Sequence, residues 1–178
     1  MHLPTHALAS WLVAEAGPAS MTRRDRALVL AAGLAPDLDA LTLLGGVAAY
    51  QKWHHFVLHN LTAAAACSLL CAALAHSRGP VLLLSLLSFH LHLVLDLLGS
   101  GGPDGSIWPI PYFAPFSLRE INFTYQWGLA SWQNVAATVL LMAASWALAV
   151  RRGRTLIEPI SPRADAAVVV VLRRWSGE

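Results

Sequence analysis

Apolar residues fall into blocks separated by short polar or Gly/Pro breaks. Residues 5–16 predict a short helix, opened by Pro4-Thr5 and ended by Gly17-Pro18. Residues 27–49 form a long apolar run, interrupted by Pro36-Asp37-Leu38-Asp39. Two further runs cover 61–75, rich in Ala, Leu and Cys, and 80–98. Residues 131–150 run for twenty positions without a charge, the length that crosses a bilayer core of about 30 Å. Between these, 99–128 reads as a Gly/Pro/aromatic loop, and 164–172 fits either an interfacial helix or a strand. The expected fold is an all-α helical membrane protein with about four apolar helices. It divides into a helical region 1–130, a transmembrane helix 131–150 and a basic cytoplasmic tail 151–178.

Composition agrees with a membrane setting. Hydrophobic residues make up 56% and charged residues 12%, with a mean hydropathy of +0.54. A soluble domain averages about 25% charged residues. The net charge of +2 and the lack of basic-aromatic interleaving argue against nucleic acid as a partner. Residues 1–18 hold no Lys or Arg, so a cleaved signal peptide is not expected.

The basic residues set an orientation. Threading four spans alternately puts Arg23, Arg24, Arg26, Arg78, Arg151, Arg152, Arg154, Arg163, Arg173 and Arg174 on one side, leaving only Lys52 and Arg119 on the other. By the positive-inside rule this predicts a multi-pass inner-membrane protein with both termini cytoplasmic.

Against this apolar background a few residues stand out: His6, Asp37, Asp39, His54, His55, His59, His92 and Asp96. His92 and Asp96 are four apart and share a helix face, whereas His90 lies about 200° from His92 and reads as an interhelical hydrogen-bonding residue. Burying imidazoles and carboxylates is costly unless they pair or hold a cation. They are the ligand types of zinc and related divalent ions. Asp37 and Asp39 alone would suit a helix-break turn. In the threading, His59 and Asp96 come near the non-cytoplasmic helix ends. Cys67 and Cys71 read as packing residues. Trp108, Tyr112, Phe113 and Phe116 fit an interfacial belt or a lid over the site.

An ordered series of motifs carries a resemblance. Thr5-His6, the stretch 32–39 ending in Pro36-Asp37-Leu38-Asp39, His54 with His59, and His92-x-x-x-Asp96 followed by Trp108-Pro109 resemble the inner-membrane-associated metal-dependent hydrolases (YdjM-like) over roughly residues 4–117. That family is itself thought similar to the all-α zinc-dependent phospholipase C and P1 nuclease fold. The resemblance implies a hydrolase-like helical core within 1–130, with one or two divalent ions, zinc first among them. It makes His6, Asp37, His59, His92 and Asp96 ligands, with Asp96 bridging and Asp37 beside the metal-held water as the catalytic residue. Asp39 becomes a further ligand or a partner that orients a histidine, and His54 or His55 an additional ligand. Where the family usually shows His-Arg-Gly, this chain has His54-His55-Phe56, so an Arg able to bind phosphate is missing.

The expected function is therefore hydrolysis of a phosphoester, on a small-molecule or lipid-linked substrate, with membrane lipid as the setting. Two non-catalytic alternatives use the same residues: passage of metal ions or protons, and a structural metal that locks the helices.

Overall fold

The computed structural model describes residues 1–102 and 104–177, which form seven α-helices and one 3₁₀ stretch. Helix α1 spans Leu3–Glu15, with Pro4 in its first turn, where a missing N–H costs nothing. Helix α2, Arg23–Leu34, starts at a capping box in which Thr22 and Asp25 exchange side-chain-to-backbone hydrogen bonds. The other carboxylate oxygen of Asp25 accepts from the backbone N–H groups of His76 and Ser77 at 2.8 and 3.3 Å, tying the turn at 75–77 to the start of α2.

Pro36 ends α2, because its ring cannot continue the helical ladder. The chain bends by 52° into the 3₁₀ stretch Pro36–Gly45. Gly46, at φ +92°, turns it into the short α3, Val47–Trp53. Asn60 caps α4, Leu61–Leu74, by accepting from the Ala63 N–H at 2.8 Å. Helix α5 spans Arg78–Gly99, α6 Trp132–Arg152 and α7 Pro162–Ser176.

Helices α1, α2 and α4 pack on α5, and α6 packs on α1. The core is built from Val13, Ala14, Val29, Ala32, Cys71 and Val81, with a second cluster around Phe89, Leu93 and Ile110. At Gly33 three helices come close: a Cβ there would lie 2.0 Å from Ser10 Oγ and 2.2 Å from Ser88 Oγ.

The two ends of the bundle differ in chemistry. At one end Arg154 forks onto Glu15, and Arg26 onto Glu158. At the other, α1 and α6 begin, and α2 and α5 end, around the histidines and aspartates. Lys52 lies at this second end, as the charge threading expects.

Three expectations change. Among the described residues only α5 and α6 are long and apolar enough to cross a membrane, or three segments if α2 and the 3₁₀ stretch count as one bent span. The helix over 61–75 has 14 residues, about 21 Å at 1.5 Å per residue, too short for a bilayer core. The ends of the chain do not share one end of the bundle. Met1 lies against Asp96 and Ser100, at the end away from the Glu15–Arg154 pair, because α1 runs from the histidine cluster to that pair. Finally, 164–172 is helical.

Candidate metal centre

Asp96 sits one turn before the end of α5 and is 2% exposed. Three imidazoles converge on its carboxylate: His6 Nε2 at 3.1 Å, His59 Nε2 at 3.3 Å and His92 Nε2 at 2.9 Å. His55 Nε2 stands further off, at 3.9 Å. Asp37 Oδ1 is 3.6 Å from His92 Nε2. The Ser100 hydroxyl donates to Asp96 at 2.8 Å, and the Met1 amino group also lies against this carboxylate. His6 stacks on His92 with ring centres 3.7 Å apart.

The hydrogen bonds on the far sides of these rings fix which nitrogen faces inward. His92 Nδ1 lies 2.8 Å from the Gly33 carbonyl, which can only accept, so Nδ1 carries the proton. In a neutral ring Nε2 is then a bare lone pair. It points at two carboxylates, is buried, and has no hydrogen-bond partner among the described residues. His59 repeats the arrangement: Nδ1–H donates to Asp39 Oδ2 at 2.9 Å, and Nε2 faces Asp96. Lone pairs aimed at lone pairs are repulsive unless a proton or cation lies between them. Burial lowers the proton affinity of His59, but Asp39 and Asp96 outweigh it and raise its pKa to about 9.

Groups of ligand atoms within 4.8 Å of one another follow from this packing: His6, Asp37, His92 and Asp96 form one, and His55, His59 and Asp96 another. Asp96 belongs to both, the position of a bridging carboxylate. The donor set and the unpartnered His92 Nε2 and Asp37 Oδ2 fit a divalent ion.

Asp39 lies behind this layer. Its carboxylate takes His54 Nδ1–H at 2.5 Å, His59 Nδ1–H, and the backbone N–H groups of His55 and Leu58. It also forms a group with His54 and His59. His54 thus points at Asp39 and His55 toward Asp96, so neither takes both roles. His55 adopts φ +66°, uncommon for a residue with a side chain, and this turns both rings inward from one loop. Burial pushes the His55 pKa well below its ordinary value.

Trp108 covers His54 and His55 at ring-centre distances of 5.0 and 4.8 Å, as a lid would, while Phe116 is exposed. His90 bonds the Leu86 carbonyl and the Tyr112 hydroxyl and takes no part in the cluster. Three contributors were not visible in sequence. The Gly33 carbonyl is a backbone atom and leaves no residue signature. Gln126 bonds the Asp96 carbonyl and both backbone polar groups of Trp108. Tyr50 stacks on His54 at 4.5 Å. Only Tyr50 and Gln126, polar groups in an apolar chain, offered any hint.

Asp37 is the cluster member that meets open space, its side chain 23% exposed. It borders a cavity of about 410 Å³ whose walls include Leu3, Leu34, Leu38 and Tyr50. The neighbouring 3₁₀ residues Leu41, Leu43 and Leu44 are exposed.

Fold and site together define a helical membrane protein with a buried His/Asp cluster able to hold a metal. A family model described as YdjM inner membrane protein matches residues 1–173, and the chain belongs to that family. The match runs beyond 4–117 to take in α6 and most of α7. No curated protein and no solved structure matches the chain, so the comparisons lend no support to a phospholipase C or P1 nuclease likeness.

Proposed function

We propose that the protein is a membrane-bound metal-dependent hydrolase acting on the phosphoester of a lipid or lipid-linked substrate. The observation that carries this is the mouth of the site. His92 and His59 each present Nε2 to Asp96, and the partly exposed acid of the cluster, Asp37, faces a cavity with leucine walls. A divalent ion, zinc for this donor set, supplies Lewis acidity and lowers the pKa of a water it holds. His6 and His92 with Asp96 would hold one ion, and His55 and His59 with the same Asp96 a second. Asp37 accepts the proton of the attacking water, being the acid that substrate can reach. The cavity walls and the exposed leucines of 36–45 take the apolar part of the substrate. In this reading the site faces the side of the membrane away from the arginines, as the positive-inside rule would have it.

The test is metal content and turnover on purified protein. Wild type should retain about one to two divalent ions and hydrolyse at least one of a panel of lipid phosphates and diphosphates. Asp37→Asn should keep metal yet lose turnover by about 10²-fold or more, as for removal of a general base. Full metal retention in both His92→Ala and Asp96→Ala would end the proposal.

One observation favours ion or proton passage instead. Ser88, Ser85 and Ser68 are buried with unpartnered hydroxyls, continuing from His92 along α5 and onto α4. Flux in proteoliposomes that falls in Ser85→Ala/Ser88→Ala, without turnover of any phosphoester, would establish that reading.

A further inference from the structure

Helix α7 is anchored by one face only. Asp165 accepts from the backbone and hydroxyl of Thr155 at 2.7 and 2.6 Å, Val169 is buried, and the Trp146 indole donates to Ser176 at 3.1 Å. At about 100° per residue these positions, with Leu172, form one arc. A second arc carries Ala164, Ala167, Val171 and Trp175, all exposed, with Trp175 68% exposed. The third carries Arg163 and Arg174 around Val170, with Arg173 at its edge reaching the Val150 carbonyl.

An exposed apolar arc beside an arginine arc matches two layers of one environment: acyl chains below and anionic headgroups above. The location agrees. Trp175 meets Trp146 with ring centres 5.8 Å apart, less than two turns inside the exposed Arg151 and Arg152 that end α6. On the anchored side, an apolar cavity of about 260 Å³ is lined by Leu8, Trp11, Met142, Trp146, Val168 and Leu172. Among the described residues the acids beside α7 are turned inward: Asp165 onto Thr155, Glu158 onto Arg26 and Glu15 onto Arg154. A second copy docking here would therefore meet arginine with arginine.

We propose that α7 lies in the plane of the membrane and is a docking surface for anionic lipid, with Val171 and Trp175 among the acyl chains and Arg163 and Arg174 on the phosphates. A spin label at position 171 tests it, using Val171→Cys in the full chain with Cys67→Ala and Cys71→Ala. The protein is placed in bilayers of phosphatidylcholine alone or with phosphatidylglycerol, and label access to oxygen and to a water-soluble nickel chelate is compared. Oxygen access should exceed nickel access when phosphatidylglycerol is present. In Arg163→Gln/Arg174→Gln, eluting as a single species like its parent, the ratio of docked to undocked helix should fall by about tenfold or more, given roughly fivefold per arginine near an anionic surface. Three results would overturn the proposal: a label open to nickel in both bilayers, a label closed to both reagents because protein covers it, or a double variant that keeps the full response to phosphatidylglycerol.

Discussion

Which ring nitrogen carries the proton separates the groups that could hold a metal from those that orient them. His92 and His59 each spend Nδ1–H on an outer acceptor, Gly33 O and Asp39 Oδ2, and present Nε2 to Asp96. This gives Asp39 a different expected phenotype from Asp96. Asp39→Asn should weaken metal binding by about 10- to 100-fold, as for loss of an orienting partner. His92→Ala and Asp96→Ala should abolish it. Titration of the apoprotein with zinc by calorimetry distinguishes the two, and complete loss in Asp39→Asn would make Asp39 a ligand. Most of this cluster was legible in sequence, because imidazole and carboxylate in an apolar helix have few other uses and four-residue spacing fixes a shared face. The opposite directions of His54 and His55 were not legible. They depend on the positive φ of His55, which no side-chain pattern encodes.

Elements place these residues through close helix approaches. Gly33 stands where α2 meets both Ser10 of α1 and Ser88 of α5, and the same residue's carbonyl holds His92. In Gly33→Ala the new methyl would sit 2.0 Å from Ser10 Oγ and 2.7 Å from Ser10 Cβ, so α2 must move away. Overpacking of this kind costs about 1–3 kcal/mol, and the shift withdraws the carbonyl from His92. Gly33→Ala should therefore lower both the thermal midpoint in detergent and the affinity for metal. A fall in stability with unchanged affinity would mean that the carbonyl tracks His92 as α2 moves. The breaks at Pro36 and Gly46 were readable, since both residues dictate backbone. The span count was readable in part: the run 61–75 is short in the sequence itself, whereas nothing in the hydropathy of 36–45 shows that it winds as a 3₁₀ stretch.

For the whole molecule, the site and the ion-pair network occupy opposite ends of the bundle. Charge patterning foretold this separation, but the position of Met1 was hidden, because α1 carries no Lys or Arg and gives the positive-inside rule nothing to act on. Glu15, 2% exposed, closes the basic end by joining α1 to α2 through Arg26 at 3.4 Å and to the segment after α6 through Arg154 at 2.8 Å. Removing one partner of a buried ion pair costs about 3–5 kcal/mol. Glu15→Gln belongs at the low end, about 3 kcal/mol, since Arg26 keeps Glu158 and the Arg154 side chain, 25% exposed, can reach water. His6 lies nine residues from Glu15 on α1, about 14 Å along the axis, beyond the range at which substitutions usually couple. Glu15→Gln should thus unfold at a clearly lower temperature yet bind metal with wild-type stoichiometry and affinity while folded. Weakened metal binding at a temperature where circular dichroism shows an intact fold would instead mean that α1 transmits the state of the ion-pair network to the His6 end.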